Sequence, residues 1–270
     1  MPARLSLADV APESFLLAGA GRAILLQIAH PAIGYGVAEH SDFAARPMKR
    51  LTGTLSYIYA LSNGSPDEVR LVRDAVNRAH APVRSEPGRA SGAPAYDARD
   101  PELQRWVAAT IYDTAVLLYE RAFGRLDEAS ADRVYREYAR LGTTLQMPEG
   151  LWPPDRAAFR RYVDETVASL RVDATVRGVA DALLRAENAP LWMRAGMPLA
   201  RFVTVGLLPT AAREQFGFDW DETRARRLDR LLDAAAPVYR VLPPRIRRAP
   251  QRHHLARLRA WAGEQQPAPA

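Results

Sequence analysis

The 270-residue chain has no cysteine, a single lysine (Lys49), five histidines and little of the alternating apolar–polar pattern that marks strands. Each shortage removes a class of chemistry. Without thiols there are no disulfides, iron–sulfur clusters, thiolate zinc sites or thiolate-ligated haem. Any metal must be held by His, Asp, Glu, Tyr, Met or the one Lys. Long apolar runs are missing too. No stretch stays apolar and uncharged for the roughly 18 residues that a membrane-spanning helix needs. Arg22 interrupts the first candidate, and Arg194 and Arg201 interrupt the one around 191–209. Asp9 and Glu13 break up the apolar segment a secretory leader would show. The expected location is cytoplasmic, with room for association at a membrane surface.

What the chain has in abundance is arginine, which supplies all but one of its 37 basic residues and a net charge of +6. Guanidinium stays charged and pairs bidentately with carboxylates and phosphates. Such a balance favours an acidic ligand, an anionic membrane surface or nucleic acid. From Glu222 to Arg259 there are eleven arginines and three acids. A solvated basic face and a contact to phosphate or anionic lipid both fit that density. Aromatic residues are not interleaved with these arginines, so base stacking is poorly supported and no nucleic-acid partner is expected.

Hydrophobic residues recur with helical period almost everywhere. Helices are expected over Ser14–His30, from Pro47 to about Leu61, from Pro66 behind a Ser65 cap, and from Asp100 to Gly124. Another should run from a Ser130 cap to Gly142, and one from about Pro154 to Leu170. Further helices should cover about 173–187, 191–213, 219–235 and 250–263. Gly34 and Gly36 should loosen the turn after Pro31, and the Gly-, Pro- and Ser-rich residues 85–101 read as a long loop. The fold class is all-α: a single multi-helix bundle domain over 13–263, with an N-terminal arm over 1–12 and a frayed tail over 264–270.

Several residues offer chemistry, each with a plainer alternative. His30 and His40 lie ten residues apart in "QIAHPAIGYGVAEHSDF", near Glu39 and Asp42. They would form a non-haem iron site if the loop folds back, or simply stop and cap helix ends. Arg50 and Thr54 share a helix face and suit a carboxylate such as a haem propionate, or are an ordinary surface arginine and helical threonine. His80 closes a helix just ahead of Pro82. A neutral imidazole in an apolar bundle is a common cysteine-free way to hold haem iron, and also a common boundary residue. His253 and His254 sit in the basic C-terminal region, where a solvated face is the simpler reading. No G-x-S-x-G elbow is present, and the "GAGRA" at 19–23 lies inside a helical run, not after a strand.

Taken in order, "GRAILLQIAHPAIGYGVAEHSDF", "RPMKRLTGTL", "VNRAHAPVRS", "DPELQRWVAATIYDT" and "REYARLG" resemble the oxygenase-domain family that includes MpaB and the catalytic domain of latex-clearing protein. The resemblance runs from about residue 13 to 250. It implies an all-helical domain and oxidative chemistry on lipophilic, often isoprenoid, substrates. By motif and order, His80 resembles the axial ligand of a b-type haem, and Arg50 and Thr54 resemble the residues beside it. A lysine that fills the sixth iron position in one relative falls near Gly53, which cannot ligate. The helix around Trp106 reads W-V-H-A-T in many bacterial members. Here Ala108 stands at the histidine position, with neither ligand nor proton-transfer capacity.

The expectation is therefore an oxidoreductase of oxygenase type, using haem b on a hydrophobic small molecule. His80 ligates iron, Arg50 pairs with a propionate, Thr54 bonds a propionate or an oxygen species, and His30 and His40 belong to the cofactor pocket. The alternatives are a catalytically degenerate helical module that binds a lipid or partner with no cofactor, and a non-haem iron protein.

Overall fold

The computed structural model of the chain describes residues 4–40, 47–85, 93–186 and 191–264. These residues form helices, with an isolated antiparallel bridge between Arg84 and Asp97. Helices of nine residues or more are numbered in chain order. They are α1 (Ala20–Ile28), α2 (Pro31–Glu39), α3 (Pro47–Asn63), α4 (Pro66–His80), α5 (Pro101–Phe123), α6 (Glu128–Tyr138), α7 (Arg156–Ser169), α8 (Ala174–Arg185), α9 (Leu191–Leu207), α10 (Glu222–Val241) and α11 (Ala249–Glu264). The all-α bundle expected from periodicity is the fold observed. No single described helix is long and apolar enough to cross a membrane.

α5 is the axis of the bundle. α1 and α10 pack on it, α11 lies along α3, and α8 crosses α2. The seam between α1 and α5 is polar at regular intervals. Trp106, Thr110 and Thr114 recur every four residues on α5, so they share a face. The Trp106 indole N–H donates to the Leu26 carbonyl at 3.0 Å, and Gln27 donates to the Thr110 hydroxyl at 3.0 Å. Arg22, only 5% exposed, donates to Thr114 and Asp113 on α5 and to the Leu207 carbonyl of α9 at 2.8 Å. The arginine that denies this segment a membrane span is thus a buried clamp between three helices.

Local chemistry explains where the helices differ from expectation. Ser14 does not cap a continuous helix; residues Ser14–Gly19 form a 3₁₀ segment behind Glu13, and the α-helix starts at Ala20. Asp127, not Ser130, caps α6, which ends at Tyr138 before a separate turn, Arg140–Thr143. The expected 191–213 helix divides after Leu207, where Pro209 has no N–H to give, and resumes at Thr210–Phe216. α10 instead outruns its expected end, continuing through Pro237 to Val241. Gly34 and Gly36 sit within α2 and do not loosen it. A Cβ at Gly34 would lie 2.6 Å from Val176 of α8, and one at Gly36 would lie 3.2 Å from the Tyr96 ring. Both glycines serve close approach.

Of the residues ahead of 13, those from Leu5 to Val10 are held against the bundle. Leu7 and Val10 are buried, the Leu7 N–H donates to Glu137 at 2.7 Å, and the Leu5 N–H donates to Ser130 at 3.0 Å. The Ser41-Asp42-Phe43 end of the histidine block, the middle of the 85–101 loop and the 265–270 tail lie outside the described residues.

A buried guanidinium stripped of its carboxylate is costly, whereas an apolar pair of similar volume is tolerated. Asp113→Ala is expected to lower stability by about 3 kcal/mol, the low end of the range for breaking a buried pair because Asp113 keeps some solvent contact. The Arg22→Met/Asp113→Leu double variant should recover most of that loss. Urea midpoints of the three proteins check it.

Candidate functional site

The candidate site grows out of a helical hairpin. α3 and α4 are joined by Gly64 and Ser65 and pack on each other. Arg50 lies 13 residues before the end of α3, and His80 lies 14 residues after the start of α4, so an antiparallel pair brings the two together. The start of α4 is set by a capping box. The Glu68 N–H donates to Ser65 Oγ at 3.2 Å, the Ser65 N–H donates to Glu68 Oε2 at 2.7 Å, and Pro66 occupies the first turn. Its end is set by Pro82, as the sequence predicts: α4 stops at His80, whose carbonyl accepts from the Val83 N–H at 2.9 Å.

His80 is largely enclosed. Burial pushes its imidazole down to about 4, the nearby Arg50 charge pushes in the same direction, and Asp97 opposes them. The ring is therefore neutral at pH 7, the form that ligates a metal. Its Nδ1 is buried and has no hydrogen-bond partner. A polar atom left so is uncommon in a folded protein and asks for an explanation. On α3, Arg50, Gly53 and Thr54 occupy one face and all three are exposed. Yet desolvation lowers the Arg50 pKa. A Cβ at Gly53 would meet nothing within 4 Å, so that turn of α3 is open. A neutral imidazole, a cation one turn from a hydroxyl, and open space beside them fit a haem with carboxylate side chains.

His30 and His40 are not brought together. They cap opposite ends of α2, so about nine residues of helix, on the order of 14 Å, separate them. A single metal ion cannot take both while α2 stands, which counts against the alternative of a two-histidine iron site. Among the described residues no group of three His, Asp or Glu side chains is placed to hold a metal. The block acts instead on the chain beyond His80. His40 Nε2 lies 3.3 Å from the Arg84 carbonyl, Tyr96 donates to Glu39 at 2.8 Å, and the Tyr96 ring lies edge-on to His40 and against Gly36. Arg84 and Asp97 pair across the same return, where the Ser85 N–H donates to the Tyr96 carbonyl at 2.8 Å. His30 carries a second buried, unpartnered Nδ1, and burial lowers its pKa against the pull of Asp100. It faces the start of α5 and does not share a site with His40.

A chain of amides escaped the sequence reading altogether. Gln146 donates to the Asn77 side chain at 2.9 Å, its own N–H donates to Gln104 Oε1 at 2.9 Å, and Gln104 donates to Gln146 and to the Ala98 carbonyl at 3.2 Å. It fastens the last turn of α4, which carries His80, to the start of α5 and to the returning loop. Asn77 stands three residues before His80, the one hint that the turn is anchored. One turn along α5 from Gln104, Ala108 is buried in the apolar core. His253 and His254 belong to α11, where His254 meets Ser56 of α3 at 3.0 Å. That contact braces the back of α3. A cavity of about 390 Å³ beside α2, bordered by Pro31, Tyr35, Arg171, Asp173 and Val176, includes none of Arg50, Thr54 or His80.

Residues 9–241 match the family described as "ER-bound oxygenase mpaB/B'/Rubber oxygenase, catalytic domain". The chain belongs to this family. Membership suggests an oxygenase-like function, and the rubber oxygenases of the family are haem-associated. Among curated proteins, the uncharacterized proteins Rv2237 of Mycobacterium tuberculosis and Mb2261 of Mycobacterium bovis are each 37% identical over 227 residues. That stretch is 82% of this chain and 88% of each relative. No solved structure matches the chain.

The His80 environment makes a testable demand on stability. Its folded pKa, about 4, lies below the ordinary 6.5. Between those values the unfolded chain binds a proton that the folded chain refuses, so stability rises with pH across the window. The imidazole costs nothing above pH 6.5 and destabilises the fold increasingly as pH falls towards 4. In protein prepared without added haem, His80→Leu should remove about 2 kcal/mol of the stability difference between pH 7 and pH 4.5. Chemical denaturation at the two pH values checks it.

Proposed function

We propose that this member of the mpaB/rubber oxygenase family is a haem-dependent oxygenase acting on a hydrophobic small molecule. The observation that carries the reading is the neutral His80 imidazole beside the Arg50 charge, its Nδ1 buried and without a hydrogen-bond partner, near the open turn of α3. His80 would hold the haem iron through a ring nitrogen. Arg50 would pair with a propionate, and Thr54 would donate to a propionate or to a polar atom above the ring. Haem, when bound, supplies the oxygen chemistry.

The protein's own residues do the rest. Burial keeps the imidazole unprotonated well below neutral pH, so protons do not compete for the ligating nitrogen. The Asn77–Gln146–Gln104 chain holds the last turn of α4, and α2 holds the return loop through Tyr96 and Arg84. His40 thus supports the site through the return loop. Gly53 leaves the turn between Arg50 and Thr54 free of side-chain bulk, which keeps space for an apolar substrate.

A second reading, a non-catalytic module on the same fold, rests on Ala108. The side chain is 2% exposed in the apolar core and supplies no proton donor there. The two readings separate on one spectrum. Purified protein expressed with haem precursor should show a Soret band and bound iron. His80→Ala should abolish the band, Arg50→Ala should weaken haem retention roughly tenfold through loss of one charge-assisted pair, and Ala108→His should leave it in place. No Soret band and no iron in the wild-type protein would overturn the enzymatic reading in favour of the module.

A further inference from the structure

Between Asp233 and Glu264 the chain has seven arginines and no acidic residue. The fold neutralises three of the seven. Arg247 and Arg248 converge on Glu13, which is 2% exposed, at 3.3 and 2.9 Å, and Arg259 meets Glu68 at 2.7 Å. Arg240 and Arg245 are exposed and have no ion pair among the described residues. They do not stand on a merely polar surface. Val238 is 64% exposed, Val241 81% and Ile246 52%. These aliphatic side chains and the two arginines fall within nine residues, where α10 ends and the chain turns through Leu242-Pro243-Pro244 into the short helix Pro244–Arg247.

From this tip we infer that the protein docks peripherally on an anionic lipid surface, with Val238, Val241 and Ile246 entering the headgroup region and Arg240 and Arg245 meeting lipid phosphates. Aliphatic side chains flanked by unpaired arginines match the two layers of a membrane interface, apolar below and anionic above. Nucleic acid fits poorly. It would want stacking rings, and Tyr239, the aromatic residue of the segment, turns its hydroxyl inward to Glu13 at 2.9 Å. A second copy of the chain is also disfavoured, because a two-fold contact would set arginine against arginine. The tip is rigidly mounted, since the ion pairs to Glu13 fasten the chain immediately behind it. The inference does not depend on haem binding.

Cosedimentation of the full-length protein with lipid vesicles tests it. The protein should pellet with vesicles containing phosphatidylglycerol, should not pellet with pure phosphatidylcholine, and should be released by salt. Arg240→Ala/Arg245→Ala should weaken partitioning by on the order of fivefold per arginine. Val241→Asp/Ile246→Asp should abolish partitioning although both arginines remain. Circular dichroism and the Soret band should not change in either variant, which separates this result from any failure of the haem reading. The inference is overturned if the wild type ignores anionic vesicles, if both variants bind as the wild type does, or if a DNA or RNA oligomer is retained more tightly than the vesicles and released by the same arginine substitutions.

Discussion

The guanidinium of Arg22 is where the architecture is tied together. It is a charge placed in the apolar interior, tolerable only because Asp113, Thr114 and the Leu207 carbonyl all receive it. Those partners lie on α5 and α9, so one side chain sets α1 against both. With Gln27–Thr110 and Trp106–Leu26 it forms three rungs that fix the axial register of α1 on α5. The direction of α2 follows from that register. At His30-Pro31 the chain turns by 101°, and Gly34 and Gly36 let α2 settle against α8 and the Tyr96 ring.

The candidate site inherits its geometry from this frame. α2 clamps the loop that follows His80, through the Arg84 carbonyl and the Tyr96 hydroxyl. The amide chain from Asn77 to Gln104 secures the other side of the same turn. His80 is therefore held by neighbours on both flanks, while its ring remains neutral and one nitrogen lacks a partner. A site that must present a basic atom without surrendering it to a proton needs this combination of rigidity and desolvation. The price is stability at low pH, since an imidazole kept neutral by burial works against folding where the unfolded chain protonates.

Helix positions were largely readable because their signals are local. Ser65, Pro66 and Glu68 announce the start of α4, Pro82 its end, and Asp100 the start of α5. The misreadings were local competitions settled by context. Ser14 turns its hydroxyl to Tyr239 and does not cap a helix. Asp127 outcompetes Ser130 as a cap, and Pro237 is carried inside α10. The hairpin logic that sets Arg50 near His80 was also within reach, because it needs only two helix lengths and a short turn. The partners of those residues were not. Gln146 lies 69 residues from Asn77 and 42 from Gln104, and nothing in the spacing of three amides predicts that they meet.

The amino-acid sequence by itself determined that the chain is helical, free of thiol chemistry and rich in arginine, and that its motifs follow the order of the mpaB/rubber oxygenase family. Those properties depend on composition, periodicity and local capping, which act over a few residues. Only the tertiary structure decided what the charged and imidazole side chains do. It separated His30 from His40 by the length of α2, turned Arg22 from an interruption into a clamp, and left Arg240 and Arg245 in solvent while Arg247 and Arg248 went to Glu13. Desolvation and pairing decide the behaviour of a titratable group, and both depend on neighbours distant along the chain.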